Sequence, residues 1–137
     1  MALVRTKRRS DCPVACTLDI VGDKWTLLVV RDLLRGKERF DQFLASPEGV
    51  ATNILADRLA RLTDAAIVEQ RPDPQHRGRW TYHLTERGAR LERVLNAIVQ
   101  WALEILPGTS LTLPPSRKRT PTRTRIVRPH RAGRRKQ

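Results

Sequence analysis

The sequence predicts a mainly α-helical fold with one small β-hairpin, on three observations. Apolar residues recur at helical spacing from residue 13 to residue 65 and again from 86 to 106. Between them, residues 67–84 turn to β-prone and alternating patterns around a loop rich in Pro, Gly and Asp. A turn holding both Pro and Gly, Ser46-Pro47-Glu48-Gly49, divides the helical segments.

The elements follow in order. Pro13 suits a first helical turn, where its missing N–H is not needed. Val14, Leu18 and Val21 then fall on one stripe, and Gly22 stops the run. Asp23 can cap a second helix, Lys24 to Leu34, whose Trp25, Leu28, Val29, Leu33, Leu27, Val30 and Leu34 make it apolar almost all round. Such a helix is expected at the centre of the core. Gly36 ends it, and Arg39-Phe40 is short and extended. Asp41 to Ser46 is a brief helix with Phe43 and Leu44 facing in. Thr52 is the expected N-cap of a helix running to about Ala65, with Leu55, Leu59 and Leu62 inward. Asn53, Ala56, Asp57, Ala60 and Arg61 then point outward. Ile67 to Arg71 and Trp80 to Leu84 form a hairpin in which Trp80, Tyr82 and Leu84 alternate with Thr81 and His83. Thr85 caps a single final helix, Glu86 to Leu106, roughly 30 Å long.

Helix, short helix, Gly-containing turn, helix with a polar face and then a hairpin is the order of a winged helix-turn-helix. A helix enters the major groove of DNA if one face packs on a core and the other offers short polar groups near its N-terminus. Thr52 and Asn53 are such groups, with Ala56 beside them. Arg58 and Arg61 flank that face and can reach phosphates or a guanine. Asp57 could accept from a cytosine, orient one of these arginines or simply be solvated, and solvation is the simplest reading. His76, Arg77 and Arg79 sit where a wing tip meets the duplex, and Arg35, Lys37 and Arg39 precede the short helix, a usual place for phosphate contacts.

Charge patterning supports the same partner. The chain has 137 residues and a formal charge of +13. Residues 107–137 hold ten Lys or Arg and residues 1–9 hold four, with no Asp or Glu in either stretch. The chain therefore divides into a basic N-terminal arm (1–11), a near-neutral body (12–106) and a basic, Pro-containing tail (107–137) expected to be disordered. Unopposed basic arms attract polyanions, and their counterion release favours DNA. A solubilising tail without a partner is the plain alternative. No apolar run approaches the roughly 20 residues that a bilayer span requires, and the N-terminal stretch lacks the apolar region of a secretory signal. Cys12 and Cys16, four apart, do not make a disulfide scaffold, so a reducing cytoplasm is expected. No phosphate loop, metal-ligand cluster or nucleophile–base pair is apparent, so neither enzyme activity nor a cofactor or metal is expected.

The strings Cys12-Pro13-Val14, Leu18 to Leu28 with Gly22-Asp23-Lys24-Trp25, Arg31 to Gly36, Arg39-Phe40, Gly49 to Leu59, and Arg79 to Gly88 together resemble the HxlR-type transcriptional regulators. The resemblance covers the body, residues 12–106. It implies a bacterial, nucleoid-associated homodimer with a winged helix-turn-helix, acting as repressor or activator on an inverted-repeat operator. It implies that the first and last helices build the dimer, here through Val14, Leu18, Leu95, Ile98, Trp101, Ala102 and Ile105, and that the first turns of residues 52–62 read the major groove. It also places Cys12 where some members sense electrophiles or oxidants. A thiol at a helix start, near Lys7, Arg8 and Arg9, can gain thiolate character, although many small cysteines only pack.

Two departures stand out. The family usually has Gly where Ala66 stands, so the helix is expected to end differently and tilt the wing. The basic tail is an addition to the family pattern. Two other functions fit parts of the sequence: a non-specific nucleic-acid packaging or ribosome-associated protein that works through its arms, and a protein-interaction domain.

Overall fold

The computed structural model describes residues 8–111. Residues 1–7 and 112–137, and with them most of both basic arms, lie outside the described residues. The elements run α1 (Pro13–Val21), α2 (Thr26–Leu34), α3 (Phe40–Leu44), α4 (Thr52–Asp64), β1 (Val68–Pro72), β2 (Trp80–Leu84), α5 (Glu86–Ala89) and α6 (Glu92–Ile105). This is a helical body with an antiparallel hairpin, as expected.

The core lies where α2, α3, α4 and the hairpin meet. Val29, Val30 and Leu33 of α2 pack with Phe43, Leu55, Leu59 and Leu62, and Ile67 and Val68 close the base of the hairpin. The i, i+4, i+7 spacing of the three leucines puts them on one stripe of α4, and all three are buried. Asn53, Ala56, Asp57, Ala60 and Arg61 are exposed, as their phase requires. β1 pairs with β2 from Val68 opposite Leu84 to Pro72 opposite Trp80. A third edge is begun by an isolated bridge between Arg39 and Thr81, and the Tyr82 N–H donates to the Glu38 carbonyl (2.8 Å). The extended Arg39 is thus a strand fragment that joins the segment before α3 to the hairpin.

Several elements differ from expectation, each for a local reason. α2 begins at Thr26 because Asp23 Oδ1 accepts the N–H groups of Trp25 (2.8 Å) and Thr26 (3.0 Å), so Lys24 and Trp25 form the turn ahead of the helix. The short helix starts one residue early, at Phe40, where Gln42 Oε1 accepts the Arg39 N–H (3.0 Å). Ala51, not Thr52, is the N-cap residue of α4, so the Thr52 side chain is free of a capping role. In β2 the alternation is reversed at its start: Thr81 is buried beneath the Arg39 bridge, and Trp80 is 49% exposed. The single final helix is two helices. Thr85 caps the first, accepting the Gly88 N–H (3.0 Å), but the chain turns at Arg90-Leu91 before α6 begins. The first residues of the tail form a turn: the Thr109 hydroxyl donates to the Leu106 carbonyl (2.9 Å).

Ala66 gives the clearest correction. The left-handed turn is kept, with Ala66 at φ 56°. The Ala66 N–H bonds to the Thr63 carbonyl and the Ile67 N–H to the Leu62 carbonyl, both at 3.0 Å, which is the Schellman pattern. The buried pair Leu62 and Ile67 holds it in place. An L-residue with a Cβ is strained there by about 1 kcal/mol. Ala66→Gly is therefore expected to raise stability by up to about 1 kcal/mol, less the extra backbone entropy that Gly brings to the unfolded chain. Urea unfolding would measure it, and an unchanged or lower midpoint would show that the turn is unstrained.

Candidate nucleic-acid interface

The turn that leads into α4 is bolted to α2. Asp32, buried in α2, accepts from Arg31 Nε (3.1 Å) and Nη2 (3.0 Å) and from the Ser46 hydroxyl at the end of the short helix. Arg31 also grips Glu48 in that turn, with Nη2 to Oε2 at 2.9 Å. A carboxylate buried in an apolar helix is tolerated only with such partners. Lone Asp32 in an otherwise apolar stretch was the sequence signal for this network, which sequence reasoning missed.

The wing is fastened in a similar way. Asp73 accepts the Gln75 N–H (2.8 Å) in a local turn and Arg39 Nε (3.0 Å), while Arg39 Nη2 reaches Gln75 Oε1 (2.9 Å). His76 Nδ1 lies 3.2 Å from the same carboxylate. The Arg79 N–H donates to the His76 carbonyl (3.1 Å), and Gly78 takes φ +81° at the tip, a conformation that favours glycine.

These contacts sort the expected DNA-facing residues. Thr52, Asn53 and Ala56 lie exposed on the first two turns of α4. Arg35, Arg77 and Arg79 are exposed and make no ion pair among the described residues. Three other cations are held within the protein. Lys37 Nζ donates to Ser46 Oγ (2.7 Å) and faces Asp32. Arg39 is fixed on Asp73, and Arg58, with a side chain only 18% exposed, bonds Asp23 and Asp57. Asp57 is not simply solvated, since it pairs with Arg58 and also with Arg61 Nε (3.0 Å). Arg61 remains largely open to solvent. Trp80 lines an open groove of about 380 Å³ with Phe40, Tyr82 and Arg79.

Three carboxylates in these networks titrate low. Hydrogen bonding from Arg31 holds Glu48 at about 2. Burial pushes Asp23 up, but hydrogen bonds from Thr26, the Trp25 and Thr26 N–H groups and Arg58 outweigh it and leave the carboxyl at about 2. The Gln75 N–H, aided by Arg39 and His76 against the effect of burial, holds Asp73 at about 2. All three bind protons less readily folded than unfolded. The stability they contribute is therefore complete above about pH 5 and lost as pH falls from about 4.5 towards 2. Thermal unfolding at pH 7, 4 and 2.5 is expected to show the steepest fall in midpoint between the last two. A flat profile below pH 4 would count against these networks.

On the opposite part of the sequence, the first and last helices leave large apolar side chains in solvent. Val14 and Leu18 of α1 and Ile98, Trp101 and Ile105 of α6 are exposed, Trp101 by 57%. Ala102 is half-buried, and Leu95 packs against the chain's own core. No residue of α6 is fully buried. Cys12 is exposed at the N-cap of α1. Its N–H donates to Ser10 Oγ (3.1 Å), and Cys16 Sγ lies 3.2 Å from the Ser10 carbonyl. Arg9, expected to favour a Cys12 thiolate, is instead held by Asp19, with Nε to Oδ1 at 2.7 Å. No helix among the described residues is long and apolar enough to cross a membrane.

Comparison with known proteins points the same way. A family model described as HxlR-like helix-turn-helix matches residues 20–109. An HTH-type transcriptional regulator of Synechocystis sp. is 34% identical over 87 residues, 64% of this chain and 64% of that one. One from Mycobacterium tuberculosis is 35% identical over 94 residues, 69% of this chain and 59% of that one. The chain thus spans about three-fifths of the length of the first relatives it matches. Among solved structures, PA1607, presented as a candidate transcription factor, is 36% identical with a TM-score of 0.71, over 82% of this chain and 79% of that one. The reduced redox regulator HypR is 28% identical with a TM-score of 0.61, over 68% and 92%. Reduced YodB of Bacillus subtilis, a transcriptional regulator, is 26% identical with a TM-score of 0.61, over 74% and 100%.

Proposed function

The chain belongs to the HxlR-like helix-turn-helix family, whose matching relatives are named as transcriptional regulators and not as enzymes, and from that premise we propose that it regulates transcription as a homodimer on an inverted-repeat operator. The observation that carries this reading is the outward face of α4: Thr52, Asn53 and Ala56 exposed at the head of a helix whose approach turn is rigidly held. Short side chains there let the helix axis come close to base edges. Arg35, Arg77 and Arg79 supply phosphate contacts, and the basic arms add sequence-independent affinity.

A two-fold dimer through α1 and α6 sets two such helices about one DNA turn apart, roughly 34 Å. The exposed apolar side chains of those helices support this assembly, since a soluble monomer rarely leaves so many large apolar groups uncovered. Selection of bound sequences from random duplex DNA tests the reading. It is expected to return a palindromic site bound far more tightly than random duplex; a ratio near one would favour a packaging protein. Asn53→Ala is expected to relax one base position per half-site at a cost of about 1–3 kcal/mol. An unchanged selected sequence would remove Asn53 from the reading surface.

Cys12 belongs to the same proposal as the residue through which thiol chemistry reaches the dimer. Its exposure at the start of α1 and the likeness to the redox regulator HypR support this. Alkylating Cys12 while following DNA release decides it: binding unaffected by full modification ends the sensor role.

A further inference from the structure

Arg58 sits on α4, the helix assigned above to the major groove, and its place in the fold is unlike that of its neighbours. Its side chain is 18% exposed where that of Arg61 is 66% exposed. Arg58 Nε donates to Asp23 Oδ1 at 3.0 Å, and Nη1 donates to Asp57. Asp57 in turn forms an ion pair with Arg61, Nε to Oδ2 at 3.0 Å. Four charges therefore alternate along one line, from the loop after α1 to the outer face of α4. Asp23 also receives the first N–H groups of α2 and the Thr26 hydroxyl, so it is pinned from a second side.

We propose that Arg58 is a positioning residue for operator discrimination and not a DNA contact, latching α4 to the α1–α2 junction through Asp23 and orienting Arg61 through Asp57. The proposal rests on the DNA-binding reading above. Two carboxylates already offset the charge of this guanidinium, and moving it to DNA would leave part-buried Asp23 without its cation. The latch joins the reading helix to the end of α1, the helix assigned to the dimer. A small rotation of α1 would then be passed to α4 by a hydrogen-bonded pair and not by the core alone.

The test uses the full chain, the duplex selected from random DNA and an unrelated duplex of equal length. Arg58→Gln and Asp23→Asn are each expected to lower the ratio of affinities for the two duplexes by about tenfold. The double variant should lose little more, because both remove one interaction. Neither should change the slope of log affinity against log salt. A loss of about 0.9 in that slope for Arg58→Gln, with Asp23→Asn unchanged in discrimination, would make Arg58 a phosphate contact and overturn the proposal. Asp23→Asn also weakens the α2 cap, so Arg58→Gln carries the comparison if the former unfolds.

A second measurement needs no DNA. The Arg58 Nε–H proton of the free protein is expected to exchange slowly and to lose that protection in Asp23→Asn. Rapid exchange in the parent protein would end the latch whatever the duplexes do. A parent protein with no preference between duplexes would strike instead at the regulator reading, and the proton measurement would still decide the latch.

Discussion

Gly88→Ala is expected to lower the unfolding midpoint by about 12 °C or more, a cost of roughly 3 kcal/mol. Helix propensity alone argues the reverse, since Ala exceeds Gly by about 1 kcal/mol inside a helix. Sterics decide the sign. A Cβ at position 88 would stand 2.1 Å from the backbone carbonyl oxygen of Ile67 and 3.0 Å from its Cγ2. The obstacle is main chain, and that main chain is already engaged: the Ile67 carbonyl accepts the Thr85 N–H (3.0 Å), while the Thr85 hydroxyl donates to the Ala66 carbonyl (2.6 Å). Relief would require α5 to lift from the turn, breaking its cap and drawing on the strained residue 66. Calorimetry of Gly88→Ala beside Arg87→Ala, an exposed neighbour, would measure the effect. A loss below about 1 kcal/mol for the former would mean that α5 can move away freely.

Trp101→Glu is expected to yield a folded monomer that has lost operator binding by about 100-fold or more. Trp101 is 57% exposed in the subunit, so the dimer can take on the order of 120 Å² of it out of water, worth about 3 kcal/mol at the usual coefficient. In the proposed two-fold dimer each interface holds two copies, so the variant loses that contribution twice and gains two unpaired carboxylates. Within the subunit the change is mild: Trp101 is mostly in solvent and α6 has no fully buried residue. Sedimentation should therefore show a monomer whose unfolding midpoint is close to that of the dissociated parent. A variant that remains dimeric, or that binds the selected duplex as before, would remove α6 from the interface.

The parts of the fold that hang on apolar phase were legible in the sequence. Leu55, Leu59 and Leu62 set the inner face of α4, and with it the outward position of Asn53 and Ala56. Pro13, Gly22 and Gly36 marked ends that hold in the structure. What was not legible depends on contacts between distant segments. The break at Arg90-Leu91 is one case, because the 86–106 stretch is periodic throughout, while α5 is held to the Ala66-Ile67 turn by Thr85 and by the close approach of Gly88. The contacts of Lys37 with Ser46, Arg39 with Asp73 and Arg58 with Asp23 are others, 9, 34 and 35 positions apart in the chain. Composition counts cations; it does not say which of them a carboxylate has already taken. Ala66 shows the opposite limit, where a residue with the wrong intrinsic preference is overruled by the packing of Leu62 against Ile67.

The clasp between Arg39 and Asp73, with the bridge from Arg39 to Thr81, leaves the hairpin no independent swivel. Each subunit then meets the duplex as one solid stamp. In the proposed dimer, a base pair added to the operator's centre would rotate the second half-site by about 34° about the DNA axis. With no give inside the stamp, that mismatch has to be absorbed by the join between the two copies or by the curvature of the DNA, and spacer length becomes as strict a criterion of recognition as the bases themselves.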